Sequence, residues 1–248
     1  MWRAKVAERI VDWLKDKVYS AGGKGAVFGL SGGIDSALVA ALCSQAFAEN
    51  NLAVIMPCYS SAEDRADAYL VADKFKLKVQ EVVLDEVFKT MLRQLGKPEE
   101  TAKSHSLAAA NIKPRLRMIT LYYFASIYNY LVIGTGNKSE IYIGYFTKYG
   151  DGGADLEPIA GLLKDEVREL ARFLGVPDKI IEKEPTAGLW QGQTDEKEMG
   201  FSYEELDKYI RFGREGLPLE KVKRIEHLHL SSEHKRAIPP VCPVEDLI

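Results

Sequence analysis

The chain has 248 residues, a formal net charge of −3, 46% hydrophobic and 28% charged content. That is the make-up of a globular protein with room for a well-buried core, and the acidic balance argues against nucleic acid as its principal partner. Three cysteines without C-x-x-C or metal-ligand spacing (Cys43, Cys58, Cys242) point to a reduced, cytoplasmic setting, and neither a signal-peptide core nor a bilayer-long apolar run is present.

Val6, Ile10, Val11, Leu14 and Val18 repeat at helical spacing, so the chain opens with an amphipathic helix closed by Ala21-Gly22-Gly23. A first strand follows at Ala26–Leu30, a second at Leu52–Met56 before Pro57, and a third at Leu77–Leu84, with a helix over Glu63–Lys76 between the last two. The polar stretch Gln94–Ala110 reads as a loop with a short helix. Pro114 suits a first helical position, and the helix Arg115–Tyr130 is apolar nearly all round. Such a helix needs two buried faces, one on the sheet and the other either in the core or against a partner subunit. Leu131–Ile133 is the fourth strand. Strands alternating with helices in this way predict an α/β fold with a doubly wound parallel sheet. Strands one and four should then be neighbours, with ligands at their carboxyl ends.

The chemistry is concentrated at Ser31-Gly32-Gly33-Ile34-Asp35-Ser36, between the first strand and a helix. Backbone N–H groups at a helix N-terminus bind anions, and glycines let the backbone close around phosphate. Ser31 and Ser36 add hydroxyl donors. Asp35 would repel a phosphate unless a cation lay between them, which predicts Mg²⁺. No lysine stands in this loop, so it is not a Walker-type P-loop. It resembles the PP-loop of the ATP pyrophosphatases, which cleave ATP between the α- and β-phosphates. That resemblance implies a Rossmann-like adenine nucleotide α-hydrolase fold.

Further segments are Arg115-Leu116-Arg117-Met118, Gly134-Thr135-Gly136-Asn137-Lys138-Ser139-Glu140, the loop Gly144–Asp155 (GYFTKYGDGGAD), Pro185–Trp190 with Gln193–Glu196, and His234-Lys235-Arg236. In this order they resemble the NAD synthetases, over nearly the whole chain. Pro114 departs from the small residue that many members carry there, and no adenine contact is assigned in Pro57–Ser61. The resemblance implies amidation of deamido-NAD to NAD with ATP, through an adenylate, releasing AMP and pyrophosphate. It implies ATP binding by Gly29, Leu30, Ser31, Gly32, Gly33, Ile34, Asp35, Ser36, Thr135, Lys164 and Thr186. Deamido-NAD would be bound by Arg115, Lys148, Asp155, His234 and Lys235, and Mg²⁺ by Asp35 and Glu140. Asp35, Lys164 and Asp155 would carry the chemistry, Asp155 by holding or deprotonating ammonium. By local pattern alone Lys164 is a solvated residue at a helix start and Thr186 a helix cap.

His227 and His229 are spaced poorly for a metal, Cys58 reads as a small buried residue, and Gly188–Gly200 as a lid. The chain is read as one domain, 1–248, with no room before the PP-loop for a glutaminase. Free ammonia is then the expected nitrogen donor, and the family implies a homodimer. Two other readings fit the same loop, a tRNA-modifying or GMP-synthetase-like PP-loop enzyme and a non-catalytic ATP sensor.

Overall fold

The computed structural model describes residues 2–96, 107–186 and 194–244. Among them, four strands form one parallel sheet: β1 (Gly25–Gly29), β2 (Asn51–Ile55), β3 (Val79–Glu81) and β4 (Tyr130–Val132), in the order β3-β2-β1-β4. β1 pairs with β2 on one side and with β4 on the other. The strand order therefore reverses between β1 and β4, and their carboxyl ends open the crevice in which ligands bind in such sheets.

Side-chain alternation explains why both faces are covered. Ala26, Phe28, Ala53 and Ile55 point to one face, where they pack with α1 (Trp2–Ser20), α2 (Ile34–Ala46), α3 (Ala62–Phe75), α7 (Lys164–Phe173) and α8 (Asp178–Ile181). Val27, Val54 and Val132 point to the other, against α4 (Asp85–Leu95) and α5 (Ile112–Tyr128). The most enclosed helix is α2, whose residues from Ala37 to Cys43 are all fully buried. A third cluster joins α6 (Lys138–Ile143), α9 (Asp195–Met199), α10 (Tyr203–Phe212) and α11 (Leu219–Ser231) through Ile143, Met199, Phe201, Tyr203, Leu206 and Ile225. No described helix is long and apolar enough to cross a membrane.

Several boundaries differ from the sequence expectation. The third strand is only three residues long, because Val82 and Leu84 leave the ladder while their N–H groups still donate to Ile55 O and Pro57 O. The chain then turns directly into α4, a helix beyond the sequence-based expectations. Helix α5 begins at Ile112, so Pro114 is its third residue, still inside the first turn where a missing N–H costs nothing. It ends at Tyr128 because Asn129 takes a left-handed conformation (φ 55°), and Tyr130 belongs to β4. Residues 97–106 of the expected loop and 188–193 of the expected lid lie outside the described residues, and the rest of that lid contains α9. Cys58 is fully buried, and all three cysteines are unpaired. His229 stacks on Tyr142 at 4.2 Å, with its Nδ1 2.7 Å from the Tyr142 carbonyl.

Candidate active site

The PP-loop leaves β1 at Gly29 and enters α2 at Ile34. Gly33 is the N-cap, in extended backbone with no side-chain cap, so the first-turn N–H groups of α2 remain directed at whatever fills the crevice. The two serines close the loop on itself. Ser36 Oγ donates to Gly33 O at 2.9 Å and lies 3.1 Å from Ser31 Oγ, which accepts from Gly33 N at 3.2 Å. The hydroxyls expected to contact phosphate thus also hold the turn in shape.

Opposite the loop, α6 follows β4. Asn137 caps it by accepting from Glu140 N at 3.0 Å, while its amide donates to Asp35 Oδ1 at 2.9 Å. One side chain therefore sets the distance between the PP-loop helix and the Gly134–Glu140 segment. Lys164, the first residue of α7, is 2% exposed and donates to Asp35 Oδ2 at 2.6 Å and Glu140 Oε1 at 2.9 Å. Its backbone N–H is held by Ser139 Oγ at 3.0 Å, and the next one by Asp207 Oδ2 at 3.1 Å, so a carboxylate from α10 caps α7. Far from being solvated, Lys164 is the cationic centre of the crevice. Beneath it Tyr203, fully buried, shares its hydroxyl between Glu140 Oε1 (3.2 Å) and Asp195 Oδ2 (3.0 Å). The Lys164 ammonium lies 4.8 Å from the Tyr203 ring centre, within cation–π range.

Two carboxylates, Asp35 and Glu140, thus flank one ammonium, and a third, Asp195, joins them through the Tyr203 hydroxyl. Burial, helped by Asp35 and Asp195 and opposed by Lys164, pushes Glu140 up to about 7. Burial alone would lower Lys164, but Asp35 and Glu140 outweigh it and hold its pKa above the usual lysine range. The crevice is a cavity of about 590 Å³, within the size range of small-molecule sites.

The structure divides the expected site residues into two groups. Gly29, Leu30, Ser31, Gly33, Ile34, Asp35, Ser36, Thr135, Glu140, Lys164, Thr186 and Lys235 line this cavity. Gly32 stands just behind it, seated on α3. Arg115, Lys148, Asp155 and His234 do not line it. Arg115 donates to Lys148 O at 3.3 Å, and Lys148 Nζ donates to His234 O, so these three form a separate outer cluster. Asp155 accepts from the N–H of Val132, the last residue of β4, at 2.8 Å and from the Tyr122 hydroxyl of α5 at 3.0 Å. Lys235 bridges the groups by donating to Gly144 O and Phe146 O, each at 2.8 Å.

Tyr145 and Asp195 also line the cavity and Tyr203 packs beneath it, three residues to which the sequence motifs give no role. Tyr145 donates to Glu198 Oε2 at 2.8 Å and reaches Asp195 Oδ1 at 3.2 Å. Tyr203 carries no local signal at all. Asn137 did carry one, because N-K-S-E has the spacing of a capping box with asparagine at the N-cap.

The family model described as NAD synthase matches residues 6–239. The chain belongs to the NAD synthase family. It is 52% identical over 242 residues to an NH(3)-dependent NAD(+) synthetase of Carboxydothermus hydrogenoformans, covering 97% of both chains. Among solved structures it resembles an NMN synthetase from Francisella tularensis (36% identity, TM-score 0.90, covering 97% of this chain and 98% of that one). It also resembles an NH3-dependent NAD synthetase from Campylobacter jejuni (30% identity, TM-score 0.81, 98% and 100%). The sheet and PP-loop described above are thus those of the NAD synthase fold.

Elsewhere in the crevice wall the Gly134–Gly136 turn rests on Glu157. A Cβ at Gly134 would fall 2.2 Å from the Glu157 carboxylate, and Gly136 N donates to it at 3.1 Å. Burial, with Asp151 and Glu140 nearby and the Gly136 bond opposing, pushes Glu157 up to about 7. An acid whose pKa is higher folded than unfolded binds more protons in the native state, so stability falls as pH rises from about 4.5 through about 7. Glu157→Gln keeps an acceptor for Gly136 but cannot ionise. Its melting temperature is expected to exceed the wild type's at pH 8 and to match it near pH 4.5, as read by calorimetry across that range.

Proposed function

We propose that this chain makes NAD from deamido-NAD, ATP and ammonia. One observation carries the reading: Asp35, Glu140 and Lys164 converge at the mouth of a PP-loop in a chain that matches NH(3)-dependent NAD(+) synthetases along 97% of its length. The nicotinate carboxylate is a poor electrophile. Its oxygen attacks the α-phosphorus of ATP and pyrophosphate departs, giving a mixed anhydride with AMP. Ammonia then attacks the carbonyl carbon, AMP leaves with the C–O bond pair, and the attacking nitrogen loses a proton.

The α2 N–H groups cradle the phosphates, and Lys164 offers a fixed positive charge where charge accumulates on the leaving group. Thr135 and Thr186 supply hydroxyl contacts to ATP. Mg²⁺ suits this donor set: it takes one or two carboxylates and completes its shell with phosphate and water, and three acids against one lysine leave negative charge for it to neutralise. Asp35 and Glu140 would hold it, and it would supply charge neutralisation to the departing pyrophosphate. Arg115, Lys148, His234 and Lys235 suit the anionic parts of the acceptor. Asp155 at the end of β4 is the group to receive ammonium. We place the reaction in the cytoplasm, in keeping with three unpaired thiols.

We further propose a homodimer built on α5. Ile119, Tyr123 and Ile127 are 58%, 62% and 56% exposed and recur every fourth residue, an apolar stripe on one helix face. Tyr123→Glu with Ile127→Glu is expected to sediment as a monomer while still binding ATP. A variant that remains dimeric in sedimentation velocity would place the interface elsewhere.

A second acceptor is favoured by the neighbour with TM-score 0.90, an NMN synthetase. Nicotinate mononucleotide carries the same carboxylate as deamido-NAD. The test is pyrophosphate release from MgATP with each acceptor, with and without ammonium, alongside direct detection of the amide product. NAD formed from deamido-NAD only when ammonium is present supports the proposal. Preference for the mononucleotide moves the acceptor class. ATP binding with no pyrophosphate release under any condition overturns it in favour of a sensor.

A further inference from the structure

Lys183 has no role in the reading above, yet it lines the same cavity, three residues before Thr186. Its ammonium donates to Asp64 Oδ1 at 2.8 Å and to Asp67 Oδ2 at 2.6 Å. Asp67 is fully buried on α3, and its other oxygen lies 2.6 Å from Lys179. The same stretch of α3 supports the PP-loop. A Cβ at Gly32 would stand 2.6 Å from Asp64 O and 2.8 Å from Asp67 Cβ. Residues 64–68 are therefore the common seat of two walls of the phosphate end, the PP-loop and the segment carrying Thr186.

The chemistry of this cluster is specific. Lys183 and Lys179 balance the charges of Asp64 and Asp67, while Glu63 pairs with Lys179, which is not on the cavity wall. An ammonium has three donors, and two are committed to the aspartates. Those bonds fix the nitrogen in space, and the side chain keeps 22% of its surface accessible. Lysine serves phosphate as a point charge, and a fixed one loses less entropy on binding than a free one.

We propose that Lys183 is a further ligand of the departing pyrophosphate, positioned for it by Asp64 and Asp67. This rests on the reading that ATP is cleaved in this cavity. A charged hydrogen bond to phosphate corresponds to roughly 10–100-fold in affinity. Lys183→Met is expected to weaken binding of inorganic pyrophosphate with Mg²⁺ by that factor and to raise KM for ATP in parallel. KM for deamido-NAD should stay within about twofold, because the acceptor binds elsewhere. Lys183→Arg, which keeps the charge, should recover part of the loss.

The wild type supplies an independent arm. Magnesium pyrophosphate should slow reductive methylation of Lys183, read by peptide mass spectrometry. Lys179, bound to the same Asp67 but absent from the cavity wall, should be unaffected. A folded Lys183→Met with wild-type pyrophosphate affinity overturns the proposal. Should that variant not fold, failure of pyrophosphate to protect Lys183 overturns it equally. A wild type that forms NAD while its Lys183 fails these tests rejects this inference alone. A wild type that neither binds pyrophosphate nor releases it from ATP rejects the functional reading, and this inference with it.

Discussion

Lys164→Met is expected to lower both stability and turnover more than any other single change at the site. Methionine fills much of the same volume, so the loss is one of charge rather than of packing. It leaves Asp35 and Glu140 facing each other with no cation between them and Asp195 close behind, linked through Tyr203. Breaking a buried ion pair by removing one partner costs about 3–5 kcal/mol. In a protein of this size that is a fall of roughly 6–20 °C in melting temperature. Removing a fixed charge that stabilises a transition state lowers kcat by about 10²–10³-fold. Lys164→Arg should not rescue it, because a guanidinium does not fit a site where the lysine is 2% exposed. Calorimetry and pyrophosphate release on the same preparations check both halves. A wild-type melting temperature would mean that Lys164 is not what holds the two carboxylates together.

Gly32→Ala has the second-largest expected effect, and its neighbour supplies the control. Gly32 has φ of +82°, a conformation that costs an L-residue about 1–3 kcal/mol. The new Cβ would also meet the Asp64 carbonyl at 2.6 Å and Ala68 N at 3.0 Å. These are backbone atoms of a packed helix, so the loop must yield instead. The PP-loop then lifts from α3, and KM for ATP should rise at least about tenfold, because misplaced cradle N–H groups lose charge-assisted bonds. Gly33 differs. Its φ is −88°, and a Cβ there would touch only Ser31 Oγ, at 3.4 Å, an ordinary contact. Gly33→Ala should keep most of the stability and change ATP affinity alone, by crowding the approach of phosphate. Urea unfolding and ATP titration of the two variants separate loop seating from phosphate access. Equal stability losses at both positions would contradict this account.

The alternation of strands and helices and the PP-loop between β1 and α2 can be read from the sequence alone. Each rests on local pattern: apolar runs, helical periodicity, and glycines where the backbone turns tightly. The S-G-G-x-D-S and G-T-G-N-K-S-E segments were legible for the same reason, as contiguous stretches whose chemistry is written in order. The apolar all-round character of α5 was legible too, but not the destination of its outer face, which the fold leaves exposed. Lys164 shows where local reading fails. It begins an amphipathic helix and reads as solvated, yet it is buried because its partners come from 129 and 24 residues away. Asp155 and the outer cluster of Arg115, Lys148 and His234 lie apart from the cavity for a similar reason, since the end of β4 engages the Asp155 carboxylate. Tyr203 beneath Glu140, and Lys183 on Asp64 and Asp67, became visible only when distant segments were packed together. Burial and charge pairing depend on where the whole chain excludes water, and that is a property of the tertiary structure, which no window of sequence contains.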